Sequence, residues 1–214
     1  MLQVSLEARG IRFVLGAQTK EILGYGGAAR SVRLADGQEI PADLVVFAIG
    51  IRPNVELARS AGLACERGVQ VSDTMQTYDP RIYAVGECVA HRGVSYGLVA
   101  PLYDMARICA LHLAESGIFA YRGSVTATRL KVTGVEVFST GEFAGGPGSE
   151  DIVYADARAG IYRKLVLRDG LLTGAIMVGD AMDAGWYQEL IESRRNVQTT
   201  RDRLIFGRAL AEAV

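Results

Sequence analysis

The chain has 214 residues, 50% of them hydrophobic, with 25 glycines, 23 lysines and arginines against 24 aspartates and glutamates, and a formal net charge of -1. That length can bury a sizeable core in one or two domains, and basic residues scattered along a near-neutral chain leave no nucleic-acid footprint. Apolar runs fall well short of the ~18 residues of a membrane span, the opening residues do not read as a secretory signal, and the three cysteines have no paired spacing, which fits a cytoplasmic location.

In chain order, residues 2–9 carry a short helical pattern closed by Gly10, and an apolar strand is expected over residues 11–15. A hairpin should pair residues 19–23 with 31–34 around the glycine-rich Gly24-Tyr25-Gly26-Gly27, and a turn follows at Asp36-Gly37. The run from Leu44 to Ile49 is apolar without alternation, as in a strand covered on both faces of a parallel sheet. Gly50 ends it, Pro53 holds Arg52 extended, and Asn54 is a suitable cap for a helix over residues 55–61.

Further on, Asp79-Pro80 leads into a short apolar strand over residues 82–85 that stops at Gly86 with an acid, Glu87, behind it. Glycine at a strand's carboxyl end allows close approach of a ligand, and an acid there can accept a hydrogen bond from a sugar-like hydroxyl. A plain turn would have the same residues. A helix is expected to start near Pro101, with Leu102, Ala106, Cys109, Ala110 and Leu113 on its packing face. Residues 125–130 and 135–140 read as strands, residues 161–167 and 172–178 as a hairpin around Asp169-Gly170, and residues 186–192 as a helix containing Trp186 and Tyr187, both core or interface residues.

No residue stands out as catalytic or metal-binding. His91, in a loop beside Arg92-Gly93, and His112, late in the helix, lack the spacing of a triad or metal site. Asp104 and Arg107 are spaced for a surface pair. Cys65, Cys88 and Cys109 form no Cys-x-x-Cys and read as small buried side chains.

Two stretches taken together carry a resemblance: Ala48-Ile49-Gly50-Ile51-Arg52-Pro53-Asn54, and the segment from Val71 to Thr77 leading to Gly86-Glu87. They resemble the pyridine nucleotide-disulfide reductase superfamily of FAD-dependent oxidoreductases. Gly86-Glu87-Cys88, His91-Arg92-Gly93, the run from Tyr96 to Ala106, Tyr121-Arg122-Gly123-Ser124, Val178-Gly179-Asp180 and Gly185-Trp186-Tyr187 resemble one branch, the large subunits of assimilatory NAD(P)H-dependent nitrite reductases.

The resemblance implies an α/β and α+β chain: partial FAD/NAD(P)-binding Rossmann-like domains followed by a small α+β carboxyl-terminal domain. Residues 1–49 would be a remnant of the NAD(P)-binding domain, 50–118 the carboxyl-terminal portion of the FAD-binding domain, and 119–214 the small interface domain. The implied cofactor-binding residues are Ile49 and Gly50 at the nicotinamide-side edge, Gly86 and Glu87 on the ribityl chain, and Gly97, Leu98 and Val99 beside the isoalloxazine ring. The family's ribityl-binding acid is Asp; Glu87 adds a methylene, which moves the carboxylate by roughly 1.5 Å.

No Gly-x-Gly-x-x-Gly follows a strand here. The resemblance therefore implies a fragment of a longer enzyme, with FAD bound weakly or not at all by the fragment, NAD(P)H as the substrate of the intact protein, and iron-sulfur and sirohaem groups only in regions outside this chain. Expected partners are the amino-terminal FAD/NAD units and the downstream redox region of the parent protein, and a homodimer, with neither nucleic acid nor membrane. The alternatives are an NAD(P)H reductase of rubredoxin, ferredoxin or a similar carrier, and a folded, non-catalytic dimerisation or docking unit.

Overall fold

The computed structural model describes residues 1–132 and 134–213; Thr133 and Val214, both inside the expected carboxyl-terminal domain, lie outside the described residues. The chain divides into two compact units, Gln3–Ile51 and a larger one from Arg52 onward that also takes in Met1–Leu2.

In the first unit, helix α1 (Leu2–Glu7) ends where the Gly10 amide donates to the Glu7 carbonyl, Gly10 having φ 87°. Strands β1 (Thr19–Tyr25), β2 (Ala28–Leu34) and β3 (Glu39–Pro41) form an antiparallel sheet in that order. The β1–β2 turn places Gly26 at φ 63° and Gly27 at φ 82°, the left-handed pair that a two-residue hairpin turn demands. Arg33 bridges Glu21 and Glu39, both at 2.7 Å, across the three strands.

Two strands expected from apolar runs do not form. Residues 11–15 are turn and coil, and residues 44–49 have no ladder partner. Leu44, Val46, Phe47 and Ile49 are 81%, 76%, 65% and 87% exposed. A continuous apolar run reports a wish for burial on both faces; a strand also needs a neighbour to take its N–H and C=O groups, and the three-stranded sheet supplies none.

The larger unit begins with helix α2 (Glu56–Ser60), followed by strands β4 (Val69–Val71) and β5 (Val89–His91), which pair in parallel with Val69 opposite Val89. The expected strand over residues 82–85 reduces to one bridge, Gln76 to Tyr83. Helix α3 (Val99–Leu113) starts two residues before Pro101, whose missing N–H therefore falls in the first turn, where no intrahelical partner is lost. Its buried stripe is Pro101, Met105 and Cys109, at successive i, i+4 positions. The predicted face was rotated from this, since Ala110 and Leu113 are exposed.

Strands β6 (Ala127–Val132), β7 (Val135–Gly141), β8 (Glu150–Asp156), β9 (Ile161–Arg168) and β10 (Leu171–Val178) form an antiparallel sheet of order β6-β7-β10-β9-β8. Asp169 and Gly170, at φ 51° and 72°, make the tight β9–β10 turn. Helix α4 (Ala184–Ser193) buries Trp186, Tyr187, Leu190 and Ile191 on Leu165, Leu167, Ala175 and Met177. Short helices α5 (Arg201–Leu204) and α6 (Arg208–Ala211) add Leu204 and Ala211 to the same core.

Inside that core the Tyr187 hydroxyl donates to the Leu204 carbonyl at 2.8 Å, and Arg163 Nη1 donates to the Ile205 carbonyl at 2.7 Å. The Arg163 charge meets Asp180 at 3.3 Å, at the edge of solvent. Burial pushes the Tyr187 phenol up to about 12. No helix among the described residues is long and apolar enough to cross a membrane.

Candidate functional site

Gly86 and Glu87 lie in the turn that enters β5, and Gly97, Leu98 and Val99 form the entry to α3. Both segments are rooted in one apolar cluster of Met75, Val89, Met105, Cys109 and Tyr121. Ala84 and Cys88, which flank the first segment, and Tyr96 and Leu102, which flank the second, pack on that cluster. Ile49 and Gly50 belong to the other compact unit.

Gly86 has φ 102°, a backbone region that L side chains avoid, and the space where a Cβ would project holds no atom within 4 Å. The amide of Val89 donates back to the Gly86 carbonyl at 3.2 Å, which closes the turn. Glu87 is exposed, and among the described residues its carboxylate has no hydrogen-bond or ion-pair partner. At the other segment, Leu98 is extended at φ -119° and ψ 145° and gives α3 no side-chain cap. The N–H groups of the first turn thus point out of the helix unpaired, together with the positive end of its dipole.

Behind these segments stands a polar cluster that the sequence reading missed. His91 is not in a loop: it ends β5, is buried, and approaches Asp73 Oδ1 at 2.9 Å through Nε2. Arg92 grips the same carboxylate at 2.9 and 2.7 Å, and Arg122 stands 3.9 Å away. Hydrogen bonds from Arg92, then from His91, hold the Asp73 carboxyl down at about 2. It is therefore ionised near neutrality, and the His91 Nε2 must carry the proton it shares.

The Tyr121 ring meets His91 edge-on at 4.9 Å, and its amide donates to the Asp73 carbonyl at 2.8 Å. This ties the linker after α3 to β5. No local signal marks the pairing, because Asp73 and His91 are 18 residues apart.

Tyr121 also opens a second chain. Ser124 Oγ donates to Asp104 Oδ2 at 2.9 Å, which leaves it to accept from the Tyr121 hydroxyl at 2.9 Å. Burial raises the Tyr121 phenol above its ordinary range. Asp104 is thus bonded to Ser124, where a pair with Arg107 was expected. His112 shares a 3.0 Å hydrogen bond with the Tyr83 hydroxyl. Of the three cysteines only Cys109 is buried, which pushes its thiol up; Cys65 and Cys88 are half-buried, against the expectation that all three would be interior. Among the described residues no three His, Cys, Asp or Glu side chains gather as metal ligands would.

Residues 1–108 match the Pyridine nucleotide-disulphide oxidoreductase family, half of the chain. The chain belongs to that family. Residues 127–195 match the Rubredoxin NAD+ reductase C-terminal domain. Nitrite reductase [NAD(P)H] of Bacillus subtilis (strain 168) is 44% identical over 200 residues, which are 94% of this chain and 25% of that protein. The assimilatory nitrate reductase electron transfer subunit of the same organism is 38% identical over 205 residues, 96% of this chain and 26% of that protein. The crystal structure of a ferredoxin reductase for the CYP199A2 system from Rhodopseudomonas palustris superposes with a TM-score of 0.78 at 25% identity, covering 93% of this chain and 50% of that one.

The chain therefore spans about a quarter of the length of these curated relatives. Membership implies the use of FAD and NAD(P)H. The residues present fit part of that demand: Glu87 offers a free carboxylate for a hydroxyl-bearing chain, the open side of Gly86 admits close approach, and the α3 amino terminus offers N–H groups to an anionic ring edge.

Proposed function

We propose that this chain is part of the flavin module of an NAD(P)H-dependent nitrite reductase, working in a cytoplasmic enzyme. In this reading residues 1–49 belong to the nicotinamide-binding domain with Ile49 and Gly50 at its edge, 50–118 complete the flavin-binding domain, and 119–214 form a docking domain. Gly86, Glu87 and the amino terminus of α3 would hold part of an FAD, which would supply the chemistry that links two-electron NAD(P)H to one-electron iron-sulfur and sirohaem groups proposed for the rest of the parent protein.

This chain's own residues would bind and orient. Glu87 accepts from a ribityl hydroxyl, the open side of Gly86 lets the ligand lie against backbone, and the first turn of α3, behind Gly97, Leu98 and Val99, favours negative charge at the reduced ring. His91 and Arg92 hold the carboxyl end of β5 on Asp73, and would support the strand that Glu87 leads into. The observation that carries the reading is the unpartnered Glu87 carboxylate behind a left-handed glycine at the entry to β5, in a chain of this family.

A second reading, a reductase of rubredoxin, ferredoxin or a similar carrier, rests on the carboxyl-terminal match and on the ferredoxin reductase likeness. A homodimer through the carboxyl-terminal domain is compatible with both.

Among the described residues no glycine-rich strand-turn-helix forms a cradle for a pyrophosphate, so affinity for FAD in this chain alone should be weak. The test is a flavin fluorescence titration of the chain and of the Glu87→Ala variant. Weak saturable binding that falls by about tenfold or more in the variant supports the site, since hydrogen bonds to charged groups contribute about 1.5–3 kcal/mol. Binding indifferent to Glu87 overturns it. No binding in either makes this chain a folded docking unit whose flavin chemistry needs the rest of the parent protein.

A further inference from the structure

Helix α3 begins without a local anchor. Leu98 supplies no side-chain cap, and an uncapped helix end frays unless something outside the helix holds it. A cavity of about 430 Å³ is lined by Ala100, Pro101 and Asp104 of α3 and by Gln188 and Glu192 of α4, so packing between the two helices does not close that gap. Ser124 lies in its wall.

Ser124 also lies where the chain passes from one core to the other. Tyr121, three residues before it, belongs to the cluster under α3, and Val125, directly after it, packs on the core of the carboxyl-terminal sheet. From there Ser124 bonds to both sides of the α3 entry. Its amide donates to the Tyr96 hydroxyl at 3.2 Å, one residue before Gly97, and its Oγ donates to Asp104 Oδ2 at 2.9 Å, in the second turn of the helix. The Tyr121 hydroxyl, 2.9 Å from Oγ, orients that donor. Gly123, at φ 103°, lets the chain pass this close, since a Cβ there would stand 3.3 Å from the Tyr96 oxygen. Residues 97–99 are thus bracketed by two hydrogen bonds to one residue.

Resting on the reading of Gly97, Leu98 and Val99 as flavin-facing, we infer that Ser124 is a positioning residue of the flavin site. It fixes the amino end of α3 to the carboxyl-terminal domain, where a helix cap would otherwise do so, and it acts through Tyr96 and Asp104 rather than on the ligand. A donor aimed at an anionic ring edge is useful only while its direction is held. Here that direction is held by the domain that follows in the chain.

Amide hydrogen exchange of the unsubstituted chain, of Ser124→Ala and of Ser124→Thr tests this. The amides of residues 103–106 donate to the carbonyls of residues 99–102, so they report on the first turn of α3. In Ser124→Ala their exchange should quicken by about tenfold or more, as expected on losing a hydrogen bond to a charged group, while residues 161–178 keep their rates. Ser124→Thr keeps the hydroxyl, has the adjoining cavity for its methyl, and should restore slow exchange. Flavin fluorescence titration should show affinity falling several-fold in the alanine variant and returning in the threonine variant. Unchanged exchange at residues 103–106 overturns the inference, as does exchange that quickens equally at residues 161–178, or that quickens with flavin affinity unaltered. An unsubstituted chain that binds no flavin counts against the flavin site and not against the anchoring of α3, which the exchange rates then decide alone.

Discussion

Tyr187→Phe removes one oxygen from the centre of the carboxyl-terminal core and changes almost nothing else. Tyr187 is fully buried; its hydroxyl donates to the Leu204 carbonyl at 2.8 Å and lies 3.4 Å from Arg163 Nη1. The ring and its packing on Trp186, at 4.9 Å, survive the change. What is lost is the hydrogen bond, net about 0.5–1.5 kcal/mol; the Leu204 carbonyl keeps a donor in the Gly207 amide at 3.2 Å, so no carbonyl is left unpaired. Arg163 likewise keeps its 2.7 Å bond to the Ile205 carbonyl. Trp186 is the only tryptophan, so urea unfolding followed by its fluorescence reports on this core rather than on residues 3–51. At a urea m-value of about 2 kcal/mol/M, the midpoint should fall by roughly 0.25–0.75 M with m unchanged. A shift under about 0.2 M would mean that the phenol does not anchor the α5 segment, and the account of this core would be wrong.

Acid should act on the larger unit through Asp73. A carboxylate held at about 2 in the folded state, against an ordinary 3.8, contributes stability that is complete above the unfolded value and is lost as pH falls through the folded one. Melting temperature of the parent chain should therefore drop more steeply between about pH 4.5 and pH 2 than that of Asp73→Asn, and equal slopes would dismiss the Arg92 and His91 contacts. The thiols should separate by access: Cys65 and Cys88 should react with an aromatic disulfide reagent in the native protein, and Cys109, buried with its thiol raised, only after denaturation. Three equal rates would contradict the packing of α3.

What was legible in the sequence was local. The Asp169-Gly170 and Gly26-Gly27 hairpins could be read because the residues that must take left-handed angles are adjacent to the strands they join. Helices α3 and α4 were legible from periodicity, though the face of α3 was misplaced. The satellite core under it is built from Met75, Val89 and Tyr121, whose arrival on one side no helical wheel records. The Gly86-Glu87 turn was visible as a motif. Its support was not: Asp73, His91 and Tyr121 meet through the parallel pairing of β4 with β5 and the return of the chain after α3, and a lone histidine beside an arginine in sequence looks like a surface loop. The strand expected over residues 44–49 failed for the converse reason, since hydrophobicity is written in the residues but the pairing partner is not.

The two units consequently make different demands on their surroundings. In the carboxyl-terminal sheet the large apolar residues of β9, β10 and α4 are closed over by α5 and α6, and Tyr187 and Arg163 are bonded to the backbone of the segment that closes them. Such a core is complete in itself and should fold wherever it is placed. In residues 3–51, by contrast, Leu44, Val46, Phe47 and Ile49 lie open to water beside unpaired backbone. Burying each would be worth about 1.5–3 kcal/mol, comparable in sum with the stability of a whole domain, about 5–15 kcal/mol. Ile49 and Gly50, proposed above for the nicotinamide side, sit at the end of that open run, whereas Glu87 precedes Cys88, which packs on the separate cluster of Met75, Val89, Met105 and Tyr121.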